Sequence, residues 1–141
     1  MKIAIGTDHR GFDHKEFIKK HVSSVAWIDV GTYNTDRTDY PIYSEKVVEL
    51  MISGQALYGV LLCSSGGGMA IAANRHAHMY AVVAWNVEIA QQCKAEDNAN
   101  ILVLPSDYVT REDAVAMIEV WLKENFKGDR YAERIAMIDK E

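Results

Sequence analysis

The sequence predicts a doubly wound α/β fold built on a parallel sheet, and three observations predict it. Five short apolar runs are continuous rather than alternating: KIAIG at 2–6, VAWIDV at 25–30, YGVLL at 58–62, YAVVA at 80–84 and NILVL at 100–104. Strands covered on both faces have this character. Helix-like segments fall between the runs, so strand and helix alternate along the chain. Polar or small residues gather after the first three runs, in GTDHRG, GTYNTDRTDYP and CSSGGG. In such sheets ligands bind beyond the carboxyl ends of the strands.

The elements follow in order. After the first run, FDHKEFIKKHV brings Phe12, Phe17, Ile18 and Val22 near one helical face. PIYSEKVVELMIS opens with Pro41, whose missing N–H is tolerated in a first turn. MAIAANR reads as a helix entered from a glycine run. NVEIAQQCKAED follows the fourth run with Asn86 placed to cap it. TREDAVAMIEVWLKENF opens with Thr110 and has Asp113 three residues on, a capping-box spacing. GDRYAERIAMIDKE is expected to form a last, largely polar helix.

The 141 residues are read as one domain, 1–141, with a core large enough to need no staples. A net charge of −5 argues against nucleic acid or an anionic membrane surface as a partner. It leaves room for a small anionic substrate in a local basic pocket. The two cysteines, Cys63 and Cys93, have no CxxC or zinc spacing, which suits a reduced, cytoplasmic setting. MKIAIGTDH turns polar too early for a signal peptide, and no apolar run approaches the roughly 20 residues that span a bilayer.

The chemistry-bearing stretch is LLCSSGGGMAIAAN, 61–74. Cys63 ends an apolar run, and Ser64, Ser65, Gly66, Gly67 and Gly68 lead into the next helix. Free N–H groups and the dipole at a helix start would favour a thiolate, and glycines let backbone N–H groups turn toward an anion. The competing reading is a buried cysteine ending a core strand. Covalent phosphoryl chemistry is disfavoured, because the sixth residue after Cys63 is Met69 rather than arginine. Neither a Walker loop nor GxGxxG is present, so no nucleotide cofactor is expected. A thiolate beside backbone donors suits proton abstraction next to a carbonyl, where the enediolate oxygen needs preorganised donors. Asp8 and His9 could bind sugar hydroxyls or phosphate, or simply form a βα loop. The HAH at 76–78 lacks accompanying metal ligands, and no metal is expected. Arg130 and Arg134 lie one helical turn apart and could clamp a phosphate or pair with Asp129 and Glu133.

Taken in order, MKIAIGTDHRGF, DVGTYNTDRTDYPIYSEKV, GVLLCSSGGGMAIAANR, DNANILVL and FKGDRYAERIAMI resemble the ribose-5-phosphate isomerase B family, whose galactose-6-phosphate isomerase relatives share the scaffold. The resemblance spans essentially the whole chain. It implies a Rossmann-like domain with a five-stranded parallel sheet, and a C-terminal helix that reaches the partner subunit of a homodimer, or of a tetramer. It also implies metal-free aldose–ketose isomerisation of a small sugar phosphate through a cis-enediol.

By the same resemblance Cys63 is the catalytic base, Ser65 keeps the hydroxyl of a family threonine, and Ser64 stands where glycine is usual. Gly66 and Gly68 match the family loop, and their neighbourhood, with Gly67 between them at a variable position, forms the substrate's anion hole. Asp8 and His9 contact sugar and phosphate, Tyr40 lines the site, Asn74 contacts sugar oxygens, and Arg130 and Arg134 reach phosphate in the partner's site. Three positions depart from the pattern. Glu96 stands where a ring-opening histidine is usual, Asp107 where a phosphate-binding arginine is, and Tyr131 where a histidine is. These departures motivate the alternatives: another phosphosugar, an unphosphorylated sugar, or a sugar-binding subunit without catalysis. A carboxylate at Asp107 should weaken phosphate binding unless Arg130 or Arg134 neutralises it.

Overall fold

The computed structural model describes residues 1–140. Five parallel strands form one sheet: β1 (Lys2–Thr7), β2 (Ala26–Asp29), β3 (Tyr58–Cys63), β4 (Ala81–Val83) and β5 (Ile101–Pro105). Their order across the sheet is β2-β1-β3-β5-β4. The connecting helices are α1 (Phe12–His21), α2 (Tyr40–Ile52), α3 (Gly67–Asn74), α4 (Val87–Asp97) and α5 (Arg111–Lys123), and α6 (Arg130–Ile138) ends the chain. The expected α/β architecture is present, with each apolar run becoming a strand.

The helices divide between the faces as right-handed crossovers require. α1, α4 and α5 pack together on one side, and α2 and α3 on the other. Two apolar layers result. Ile3, Ile5, Val60, Leu62, Leu102 and Leu104 face the first set with Ile18, Met117 and Trp121. Ala4, Leu61, Cys63 and Val103 face the second with Val47, Val48 and Met69. Each fully buried Ile or Leu contributes about 1.5–3 kcal/mol, and adjacent residues of one strand serve opposite layers. That is why the runs are continuous.

The caps behave as their sequences suggest. Asn86 Oδ1 accepts from Ile89 N–H at 2.9 Å, and Thr110 Oγ1 from Asp113 N–H at 3.0 Å. Asp8 caps a single 3₁₀ turn, His9–Gly11, by accepting from Arg10 N–H. The last helix differs from expectation. It is shorter, and it is less polar in character: no residue of it is buried, and Met137 and Ile138 are largely exposed. Among the described residues no helix is long and apolar enough to cross a membrane.

The topology also positions the site. The loop after β3 descends to α3 on one face, while the loops after its neighbours β1 and β5 lead to helices on the other. Loops diverging on either side leave a crevice at the carboxyl end of β3, where Cys63 sits.

Candidate active site

Cys63 is the last residue of β3 and is only 5 % exposed. Gly66, with φ +80°, turns the chain back so that its N–H donates to the Cys63 sulfur at 3.2 Å. A side chain at Gly66 would be strained there and would crowd Val83 and Val103. The N–H groups of Met69 and Ser65 also favour the ionised sulfur. Burial outweighs them, and the Asp8 carboxylate opposes them further, so the thiol is held above its ordinary value. This corrects the expectation of a ready thiolate: the helix start lowers the cost of the anion without reversing the desolvation.

Asp8, His9, Tyr40 and Ser64–Gly68 all occupy loops or helix starts at this end of the sheet. His9 Nδ1 accepts from Thr38 N–H at 3.2 Å, which leaves the proton of a neutral ring on Nε2. Tyr40 packs directly on Gly68. A Cβ there would lie 2.4 Å from its ring, so the tyrosine requires glycine at position 68. Ser65 is exposed, and its Oγ accepts from Gly67 N–H at 3.2 Å. The loop after β5 joins the group, because Ser106 N–H and Asp107 N–H donate to Cys63 O and Ser64 O at 2.9 and 3.1 Å.

Four expected site residues lie elsewhere. Helices run antiparallel to the strands they connect, so Asn74 and Glu96, at the ends of α3 and α4, sit at the amino edge of the sheet. That edge is the length of β3, roughly 17 Å, from Cys63. Asn74 is a correction within one chain: its amide bonds both backbone groups of Ala81, at 2.8 and 2.7 Å, and so pins the start of β4. Glu96 shares a surface hollow with Gln92, Glu124 and Lys127. Arg130 carries charge close to it, and its own pKa is raised first by the Tyr131 hydroxyl and also by Glu96. Arg134 lies on the same helix, α6, whose far end is tied down where the Tyr80 hydroxyl donates to Asp139. None of the four meets Cys63 within one copy.

Arg10 was missed from sequence, and so was its pairing with Asp107, which the sequence marks only as a departure from the family pattern. Their side chains form an ion pair beside the Cys63 loop. So it is Arg10, not Arg130 or Arg134, that offsets the Asp107 charge. The only available signal was that both follow strands; nothing in the sequence says that β1 and β5 flank β3.

The family model described as Ribose/Galactose Isomerase matches residues 3–138. Ribose-5-phosphate isomerase B of Escherichia coli K12 is 37% identical over 139 residues, covering 97% of this chain and 93% of its own. A ribose 5-phosphate isomerase of Thermotoga maritima superposes with TM-score 0.95 at 39% identity, covering 98% of this chain and 97% of that one. The Mycoplasma genitalium ribose-5-phosphate isomerase B, solved with bound ribulose-5-phosphate, superposes with TM-score 0.91 at 30% identity, over 98% of this chain and 93% of that one.

Proposed function

The chain belongs to the ribose/galactose isomerase family, and on that premise we propose that it interconverts ribose 5-phosphate and ribulose 5-phosphate, with Cys63 as the base. The observation that carries the mechanism is the Cys63 sulfur facing backbone N–H groups of its own loop, at the same sheet edge as Asp8, His9 and Tyr40. The ionised sulfur takes the proton from C2 of the open-chain aldose, and the electron pair moves onto the carbonyl oxygen. N–H groups of Ser65–Gly68 stabilise the resulting enediolate. The thiol then returns the proton to C1, and the Ser65 hydroxyl carries a proton between the two oxygens. No atom is gained or lost.

The reading extends to a homodimer. Arg130, Arg134 and Glu96 are too far from Cys63 to serve their own copy, so a second copy brings them to it. The apolar side chains of α6 give that contact something to bury: Ile135 lines a hollow with Tyr80 and Val82, and Met137 and Ile138 are bare. Glu96 of the second copy then stands where ring opening needs an acid or base.

The test is NMR in D2O with ribose 5-phosphate, ribose and allose, beside Cys63→Ala. Turnover of the phosphosugar with deuterium appearing at C1 or C2, lost in the variant, is expected. Unchanged turnover by Cys63→Ala overturns the base assignment, and an active monomer in ultracentrifugation overturns the shared site. Turnover of free sugar alone moves the substrate to an unphosphorylated one, a reading favoured only by the Asp107 carboxylate.

A further inference from the structure

We propose that Arg10 binds the anionic end of the substrate and that Asp107 is its positioning residue. The inference rests on reading the Cys63 crevice as the substrate site. Arg10 is the middle residue of the 3₁₀ turn after β1, and Asp107 follows β5. The two are 97 positions apart in sequence, yet the fold stitches both to the catalytic loop. The Ser106 hydroxyl lies between Cys63 O at 3.1 Å and Arg10 O at 3.3 Å and shares its one proton with them, while Asp107 N–H donates to Ser64 O at 3.1 Å. The backbone beneath the ion pair is therefore the backbone that carries the base.

The pair itself is open. The Arg10 and Asp107 side chains are 53% and 35% exposed, and an exposed ion pair adds little to the stability of a fold. Stability alone gives little reason for it. One Arg10 N–H reaches Asp107, and the other four make no hydrogen bond among the described residues. A guanidinium held at one corner by a carboxylate keeps a free edge with two parallel donors, which matches a phosphate or carboxylate. Tethering also removes part of the entropy cost of ordering a long side chain when ligand binds.

Asp8, the carboxylate of the same loop, is buried and turned to the Arg10 backbone N–H at 2.9 Å. Among the loops that follow β1, β3 and β5, Arg10 supplies the one guanidinium. The ligand class is a phosphomonoester dianion, reached while the carbonyl end lies over Cys63.

The experiment compares the whole protein with Arg10→Ala, Arg10→Lys, Asp107→Asn and the double variant. It reads KM and kcat for ribose 5-phosphate, and inorganic phosphate binding by calorimetry. Losing a charge-assisted contact predicts a KM rise of about 10- to 100-fold in Arg10→Ala, with kcat changed less than about threefold and phosphate binding weakened in parallel. Arg10→Lys recovers part of the affinity. Asp107→Asn raises KM by less than Arg10→Ala does, and the double variant is no worse than Arg10→Ala, because Asp107 acts through Arg10. Unchanged KM and phosphate binding in Arg10→Ala overturns the proposal. Tighter phosphate binding in Asp107→Asn overturns the positioning role, since Asp107 would then merely repel the anion. Arg10-dependent phosphate binding without any isomerisation leaves this inference standing and removes the isomerase reading; Arg10-independent turnover does the reverse.

Discussion

Cys63 at the end of β3 and Cys93 in the middle of α4 are about equally hidden, 5% and 2% exposed, yet their sulfurs have opposite neighbours. The Cys63 sulfur receives the Gly66 N–H. The Cys93 thiol donates to Ala90 O, one turn back, at 3.3 Å. Burial raises both pKa values, and for Cys93 the nearby Asp97 charge helps push it to about 11. Inside a helix the N–H groups are already shared with carbonyls, so the N–H groups of Lys94 and Cys93 itself give that sulfur only secondary help. At a helix start the N–H groups are uncommitted, so a sulfur there meets donors. Equal burial thus raises both thiols, and only Cys63 has the uncommitted N–H groups of a helix start beside it to offset part of that cost.

Substitution should separate the two most sharply in rate. Cys63→Ala should lower kcat by about 10²–10⁴-fold, the usual contribution of a positioned base, with Cys93→Ala turning over normally in the same assay. Equal losses in both would remove the distinction.

The donors can be disturbed while the sulfur is kept. Gly66→Ala forces an L side chain into φ +80°, at a cost of about 1–2 kcal/mol. If the loop relieves that strain by moving, the Gly66 N–H leaves the sulfur. A fall of about tenfold in kcat/KM is the expected result, and full activity with a crystal structure showing Gly66 displaced would mean its N–H is dispensable.

Titration compares the thiols directly. The Cys63 pKa lies above the ordinary thiol value, so the thiolate fraction, and with it kcat/KM, should rise roughly tenfold per pH unit through neutrality. Thiolate absorbance followed against pH in the wild type and in Cys63→Ala would check this. A rate already flat at pH 6–7 would place the base elsewhere.

The smallest expected effect is on stability. Cys93→Ala should cost about 1 kcal/mol for the lost buried sulfur, measured by urea unfolding near pH 7. Because the folded Cys93 value of about 11 exceeds the unfolded one near 8.5, the unfolded state ionises first as pH rises. The thiol therefore leaves stability untouched below about pH 8 and erodes it above, and that alkaline erosion should shrink in the variant.

The strands were legible because two apolar layers leave no room for alternation, as Leu61 and Leu62 show by facing opposite helices. The helix starts at Asn86 and Thr110 were legible because capping is local chemistry. The site was legible where it is contiguous, from Cys63 to Gly68. It was not legible where it depends on strand order. Arg10 meeting Asp107 requires β1 and β5 to flank β3, and no local pattern encodes which strands are neighbours. Asn74 was misread for a related reason, since its amide is spent on Ala81 across a turn whose shape is set by packing.

By itself, then, the sequence determined the alternation of elements, their caps and a thiol followed by flexible backbone, all properties of residues close along the chain. Tertiary structure decided the rest. It set the thiol's ionisation, because desolvation depends on what packs around the sulfur. It also sent Arg130, Arg134 and Glu96 away from Cys63, because antiparallel helices carry their ends to the opposite edge of the sheet.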